Sequence, residues 1–381
     1  LMSLEIHRKR IDEIDEKLTQ LFLERMQVSA DIAAYKKEKG LPIRDPERER
    51  EKLASVMEKA SPEMEPYMRT LYLTLFELGR AHQHSLCGTR SDLSDRVEAA
   101  ISETQKTLPD APLVACQGVE GAYSQIACEK MFKAPNIMYF STFDGVFSAI
   151  DQGLCRYGIL PLENSTAGSV NAIYDLMIKY DFSIIRSTRI KVDHCLLANK
   201  GTSMKDIKEI FSHEQALAQC AGFLKSLGKV KVTPCENTAA AAKMLFGSGR
   251  NDAAALSSSS CAELYGLNCL KSSVQDQGGN YTRFICISKK LEIYPGADKT
   301  SVMAILPHKP GSLYHALSGL YALGVNINKL ESRPLPESDF EFMFYFDLST
   351  SIYSETFRQM LVRFEESSKM LKYLGSYTEV V

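Results

Sequence analysis

From Ser3 to Lys39 the chain contains neither proline nor glycine, and Ile11, Ile14, Leu18, Leu21, Phe22, Met26, Val28, Ile32 and Tyr35 recur at helical spacing. About 36 residues at about 1.5 Å each make a rod about 55 Å long. Gly40-Leu41-Pro42 ends it. Asp45-Pro46 starts a second helix, with aspartate as cap and proline in the first position, and Ser61-Pro62 starts a third in the same way. One very long helix and two shorter ones cannot close a core alone, so the pattern predicts intertwined helices from two copies of the chain.

At 381 residues the chain is long enough for two or three domains. A net charge of -2 gives no basis for binding nucleic acid or a membrane surface, and small-molecule chemistry is the expectation. The 10 cysteines form no Cys-x-x-Cys and do not cluster with the seven histidines. That argues against a zinc site or a redox motif and for free thiols in a reducing cytoplasm. No apolar run reaches membrane-spanning length, and the charged first helix does not read as a signal peptide.

Within the long helix, Arg25 and Lys36 are eleven residues apart, which brings them within about 20° on the helix face. Arg8 falls about 100° away from Arg25, so on a straight helix it reaches a partner's site more naturally than its own chain's. Most such charges are simply solvated. Residues 5 to 84 nevertheless resemble the all-helical chorismate mutase family, with Arg8, Arg25, Lys36, Asp45, Arg48, Glu49 and Gln83 each at a position of that family's site. The resemblance implies that Arg8 from the partner, Arg25 and Arg48 bind the carboxylates of chorismate. Asp45 joins the substrate-binding set, Glu49 takes the substrate hydroxyl, and Lys36 and Gln83 face the ether oxygen. A unimolecular rearrangement needs this and no proton transfer. The family usually has a serine where Gly79 stands.

Residues 85–111 read as a connector, polar and ending in Leu108-Pro109-Asp110-Ala111-Pro112. From 112 to 290, apolar runs alternate with helical patterns in two successive series, which predicts a two-lobed α/β domain with ligands at the strand ends between the lobes. Gly278-Gly279-Asn280-Tyr281-Thr282-Arg283-Phe284 leads into the last strand and should begin at that cleft. A glycine pair permits a tight turn, arginine offers a fork for a carboxylate, and threonine can donate to an oxygen that is leaving. Three other loops run from strand to helix: Gly118 to Ser124, Glu163 to Ser169, and Ser212 to Cys220. No Gly-x-Gly-x-x-Gly is present, and no nicotinamide cofactor is expected.

Asn280-Tyr281-Thr282-Arg283-Phe284 resembles the signature of prephenate dehydratases, and the ordered loops match that family across the whole domain. Val119, Ala122 and Glu214 depart from its usual residues. The resemblance implies a periplasmic-binding-protein-like architecture and loss of carbon dioxide and hydroxyl from prephenate, with the aromatising ring as electron sink and no cofactor or metal. It makes Thr282 the donor to the leaving hydroxyl. Arg283 and Ser124 would bind carboxylates, Glu163, Asn164, Ser165 and Thr166 would orient the ring, and Phe284 would complete the substrate-binding set. His213, at a helix start, is a candidate acid, but a histidine in that place is more often structural or a contact between lobes.

Residues 299–381 predict strand, helix, two strands, helix and strand, the ferredoxin-like α+β plan. They resemble an ACT domain. Gly311, Ser312 and Leu313 match one of its motifs and Glu331, Ser332 and Arg333 the other, which implies phenylalanine as feedback inhibitor and a paired, dimeric or tetrameric assembly. Taken together the chain resembles the bifunctional chorismate mutase/prephenate dehydratases, with residues 1–84 as mutase. An arogenate-preferring dehydratase and a non-catalytic two-lobed binding protein are the alternatives.

Overall fold

The computed structural model describes residues 4–87, 91–335 and 341–381, so Ser3, the expected start of the first helix, and Phe340, where the sequence predicts the third strand of the last segment to begin, lie outside the described residues. Two compact units emerge. One comprises Leu1–Arg96, Leu306–Asn326 and Tyr353–Met370; the other comprises Val97–Ile305, Ile327–Ile352 and Leu371–Val381.

The chain opens with α1 (Leu4–Lys39), α2 (Pro46–Met57), α3 (Glu65–Cys87) and α4 (Asp92–Glu103). Helix α1 stops because Gly40 takes a left-handed φ of 64°, which lets Leu41 N donate to Lys36 O at 2.9 Å and Gly40 N to Lys37 O at 3.4 Å. Asp45 caps α2, its side chain accepting from Arg48 N at 3.0 Å ahead of Pro46. Ser61-Pro62 does not start α3. It forms a turn closed by Met64 N to Ser61 O at 2.9 Å, and the helix follows from Glu65. Helices α1 and α3 pack where side chains are small: Ser29 and Ala33 are buried on one, Gly79 on the other. Elsewhere α1 turns Ile11, Ile14, Leu18, Leu21, Val28 and Ile32 to solvent. Apolar rows of that length are uncovered in a single chain.

The second unit begins with β1 (Leu113–Gln117), α5 (Tyr123–Met131), β2 (Asn136–Phe140), α6 (Phe143–Asp151), β3 (Tyr157–Asn164), β4 (Gly168–Ser169), α7 (Asn171–Lys179) and β5 (Ser183–Lys191). A second lobe follows, from β6 (Cys195–Ala198) and β7 (Glu209–Ser212) through α8 (Glu214–Gln219), α9 (Ala221–Ser226), β8 (Lys231–Pro234), α10 (Thr238–Ser248), β9 (Ala253–Ser257) and α11 (Ser259–Tyr265) to β10 (Asn268–Lys271). Its sheet runs β10-β6-β9-β7-β8. The chain then returns through β11 (Tyr281–Ser288), which lies antiparallel between β3 and β5 in the first lobe's sheet. Strands β2, β4, β5, β6 and β10 are absent from the sequence reading. All ten cysteines are free, and seven of them, such as Cys116, Cys128 and Cys286, are buried.

The remaining elements are β12 (Lys299–Ile305), α12 (Ser312–Ala322), β13 (Asn326–Pro334), β14 (Phe342–Ser349), α13 (Glu355–Ser367) and β15 (Met370–Val380). Their strands are ordered β13-β14-β12-β15, and β15 pairs in parallel with β5, so they continue the first lobe's sheet. The segment 299–381 is thus shared between the two units, with α12 and α13 falling in the first. There His315 Nδ1 and Ser318 Oγ of α12 bond Glu77 of α3 at 2.6 and 2.9 Å. No helix among the described residues is long and apolar enough to cross a membrane.

Candidate active sites

In the α/β unit the register of β11 on β3 sets Thr282 opposite Asn164. Asn164 ends β3 with its side chain turned back on its own loop. Its Oδ1 accepts from Thr166 N at 3.0 Å, Thr166 Oγ1 at 2.7 Å and Ala167 N at 2.9 Å. Those donors fix the amide, so Nδ2 must donate the other way, to Asn280 Oδ1 at 2.7 Å and Thr282 Oγ1 at 2.9 Å. Thr282 therefore enters the site as an acceptor from the protein, and its own proton remains available to a ligand.

The network continues into the second lobe. Gln219, the last residue of α8, donates from Nε2 to Thr166 Oγ1 at 3.0 Å, and its Oε1 accepts from Asn280 Nδ2 at 3.0 Å. The same Oε1 lies 3.0 Å from Nε2 of His194, a ring only 2% exposed. Burial depresses the His194 pKa, and the bond to Gln219 only partly offsets it. The ring is thus a neutral Nε2–H donor. Ser165 ties the glycine turn down, donating to Gly279 O at 3.0 Å and accepting from Tyr281 N at 2.9 Å. Asn280, Gln219 and His194 were missed from the sequence as site residues. The first two sit inside quoted loops, while nothing in the sequence singles out the third.

Two expected carboxylate binders lie elsewhere. Arg283 follows Thr282 on a strand, so its side chain takes the opposite face. There its buried guanidinium pairs with Asp347 of β14, bonds the Tyr377 hydroxyl of β15 at 3.0 Å and lies 3.4 Å from Glu163. Burial opposes that charge, but Tyr377 and Asp347 outweigh it and raise the pKa. Ser124 is 5% exposed and donates to Gln117 O of β1 at 2.7 Å, a fold contact. Phe284 is buried in the core of the first lobe. Glu163 lies on the same face as Arg283, paired with Lys329 at 2.6 Å. Burial would raise its carboxyl, yet Lys329 and Arg283 prevail and hold it below the usual range. His213 caps α8, its Nδ1 accepting from Gln215 N at 3.3 Å.

No side chain caps α5 at Ala122, so the amides of Tyr123 and Ser124 at the helix start are uncapped, whereas in the loop before it Gly121 N donates to Gln125 Oε1 at 2.7 Å and Ala122 N to Val119 O at 3.1 Å. A Cβ on Gly118 there would come within 3.8 Å of Asn237 Nδ2, a buried donor with no partner among the described residues.

The helical unit holds a second group. Arg25 Nη1 donates to Leu75 O at 3.0 Å, and burial lowers its pKa. Gln83 Nε2 donates to Ser29 Oγ at 3.0 Å. Lys36 Nζ donates to Ile43 O at 2.6 Å, across the turn that separates it from the cap Asp45. Glu49 pairs with Arg80, which sequence reasoning passed over, and Arg48 reaches Glu51 at 3.2 Å. Arg8 stands about 26 Å along α1 from Arg25, too far to join the group on its own chain.

Of the last set, Gly311 has a φ of 85° at the start of α12, and Ser312 lines a cavity of about 410 Å³ with Lys309, His315 and Arg363. On β13, Glu331 bonds Ser169 and Arg333 pairs with Asp175 at 2.8 Å, while Ser332 between them is exposed. Gly311–Leu313 and Glu331–Arg333 fall in different units.

Residues 7–84 match the family model of chorismate mutase type II, and residues 114–292 that of prephenate dehydratase. A bifunctional chorismate mutase/prephenate dehydratase of Aquifex aeolicus is 31% identical over 98% of this chain and 97% of its own. An arogenate dehydratase/prephenate dehydratase of Arabidopsis thaliana is 38% identical over 69% of this chain and 72% of its own. Among solved structures, a prephenate dehydratase from Arthrobacter aurescens in complex with L-Phe superposes with a TM-score of 0.64 at 27% identity, covering 70% of this chain and 89% of that one.

Proposed function

The chain belongs to the bifunctional chorismate mutase/prephenate dehydratase family, and from that premise we propose which of its residues do the work. It rearranges chorismate to prephenate, then decarboxylates and dehydrates prephenate to phenylpyruvate in phenylalanine biosynthesis, under feedback by phenylalanine.

In the dehydratase step Thr282 hydrogen-bonds to the departing ring hydroxyl as the ring carboxylate leaves as carbon dioxide, and the proton that completes the departing water is made good from solvent, so Thr282 ends the turnover protonated. The observation that carries this assignment is the bond from Asn164 Nδ2 to Thr282 Oγ1, which leaves the hydroxyl proton pointing to a ligand. Asn164, Ser165 and Thr166 hold the ring's surroundings rigid. The uncapped Tyr123 and Ser124 amides at the start of α5, rather than the Ser124 hydroxyl, seat a substrate carboxylate, with Asn237 Nδ2 near the loop. Glu163 stays ionised and supports the site from behind through Lys329.

In the mutase step Arg25 and Arg48 bind carboxylates, Asp45 and Glu49 order the substrate-binding end, and Lys36 and Gln83 stabilise charge on the breaking ether bond. The partner's Arg8 completes the site, since the exposed rows of α1 favour a second copy along its length. Residues 299–381 act as an ACT sensor for phenylalanine, with Gly311, Ser312 and Leu313 as one recognition motif and Glu331, Ser332 and Arg333 as the other. The βαββαβ order and the four-strand order β13-β14-β12-β15 support that reading.

With prephenate as substrate, Thr282→Val should lower dehydratase kcat by about 10²-fold or more and Thr282→Ser far less. Near-normal turnover of Thr282→Val would remove the hydroxyl from the mechanism. The name of the Arabidopsis relative also raises arogenate as a substrate. Direct formation of phenylalanine from arogenate, faster than phenylpyruvate from prephenate, would favour that second reading.

A further inference from the structure

We infer that Ser29 is a positioning residue of the mutase site, holding the Gln83 amide in the orientation that keeps an N–H free for the substrate's ether oxygen. The inference rests on the mutase reading of Gln83 given above.

Ser29 sits on α1 and is buried against α3. Its hydroxyl has one proton, and that proton goes to Gly79 O at 3.2 Å. The oxygen can then only accept, so it takes a hydrogen from Gln83 Nε2, at 3.0 Å. Turning the amide over would present Gln83 Oε1 to Ser29 and draw the single proton away from Gly79, leaving one bond where there are now two. Gln83 Oε1 is itself buried with no partner among the described residues. Ser29 is therefore the anchor of this side chain, and the second hydrogen on Nε2 remains for the ligand.

Position 79 explains why the hydroxyl comes from α1. A Cβ built on Gly79 would lie 3.5 Å from Ser29 Oγ and 3.5 Å from Arg25 Nη1, ordinary contact distances. A hydroxyl borne by residue 79 would thus occupy the same corner of the site that Ser29 now reaches from across the helix pair. The two positions are alternative sources of one polar group, and this chain uses the α1 source.

The test measures mutase turnover of the full chain, with prephenate dehydration as an internal control of folding. Ser29→Ala should lower mutase kcat by about ten-fold, the worth of one hydrogen bond, with KM changed less than about two-fold. Adding Gly79→Ser to Ser29→Ala should return most of the loss. In a Gln83→Ala background, Ser29→Ala should cost less than about a further two-fold, because its effect passes through Gln83. Wild-type kcat in Ser29→Ala, or a loss that multiplies undiminished on Gln83→Ala, would overturn the inference. If Gln83→Ala alone turned over normally, the mutase reading of Gln83 would fall first, which separates the two failures. Should Ser29→Ala lose its fold, Ser29→Cys keeps the volume with a poor acceptor and is expected to show the same kcat loss.

Discussion

At the scale of single residues, the dehydratase site is a problem of hydrogen counting. Asn164 has its carbonyl filled by three donors from its own loop, which directs its NH₂ onto Asn280 and Thr282 and makes Thr282 Oγ1 an acceptor from the protein. The sequence names Thr282 and Asn164 but cannot supply that polarity. It also misplaces Arg283, because adjacency in a motif says nothing of the strand's alternation, which sends the guanidinium to Asp347 on the opposite face. His194 carries a pH consequence. Its folded pKa is depressed below the ordinary value of about 6.5, so below that pH the unfolded chain takes up a proton that the folded one refuses. Stability should fall as pH drops from about 6.5 toward the depressed value and change little above it. Denaturant titrations of wild type and His194→Gln across that range should converge at low pH, and a constant difference would contradict the burial argument.

At the scale of elements, what repeats in sequence was legible and what pairs at long range was not. Helix α1 declared itself by the absence of proline and glycine, and its stop by Gly40. Strands β2, β4, β5, β6 and β10 did not, since β5 is buried along most of its length without alternation and the other four have five residues or fewer. The turn at Ser61-Pro62 resembles a helix start because its residues are those of a cap, but the turn it opens closes at Met64 and α3 begins only at Glu65, four residues after Ser61. Helix α1 also carries a test of assembly. Leu18 is 55% exposed in a row of exposed apolar residues. If α1 pairs with a second copy whose Arg8 completes the mutase site, as proposed above, Leu18→Asp should give a smaller species by light scattering and abolish mutase turnover while the dehydratase persists. An unchanged mass with full mutase activity would show that α1 is covered in some other way.

At the scale of the whole molecule, the proposed assignment puts the two chemistries on separate side chains, one set on helices α1 to α3 and one where β3, α8 and β11 converge. Their order along the sequence was plain from the motifs. The division of residues 299–381 between the two units was not, because it depends on β15 pairing with β5 and on α12 bonding α3, contacts between segments more than 190 residues apart. The measurement that tests the account most directly is to give the purified chain chorismate alone and follow the products with and without phenylalanine. Phenylpyruvate should form with no other substrate added, and phenylalanine should suppress it. Prephenate that accumulates without phenylpyruvate would contradict the assignment of Thr282 and the cleft around it.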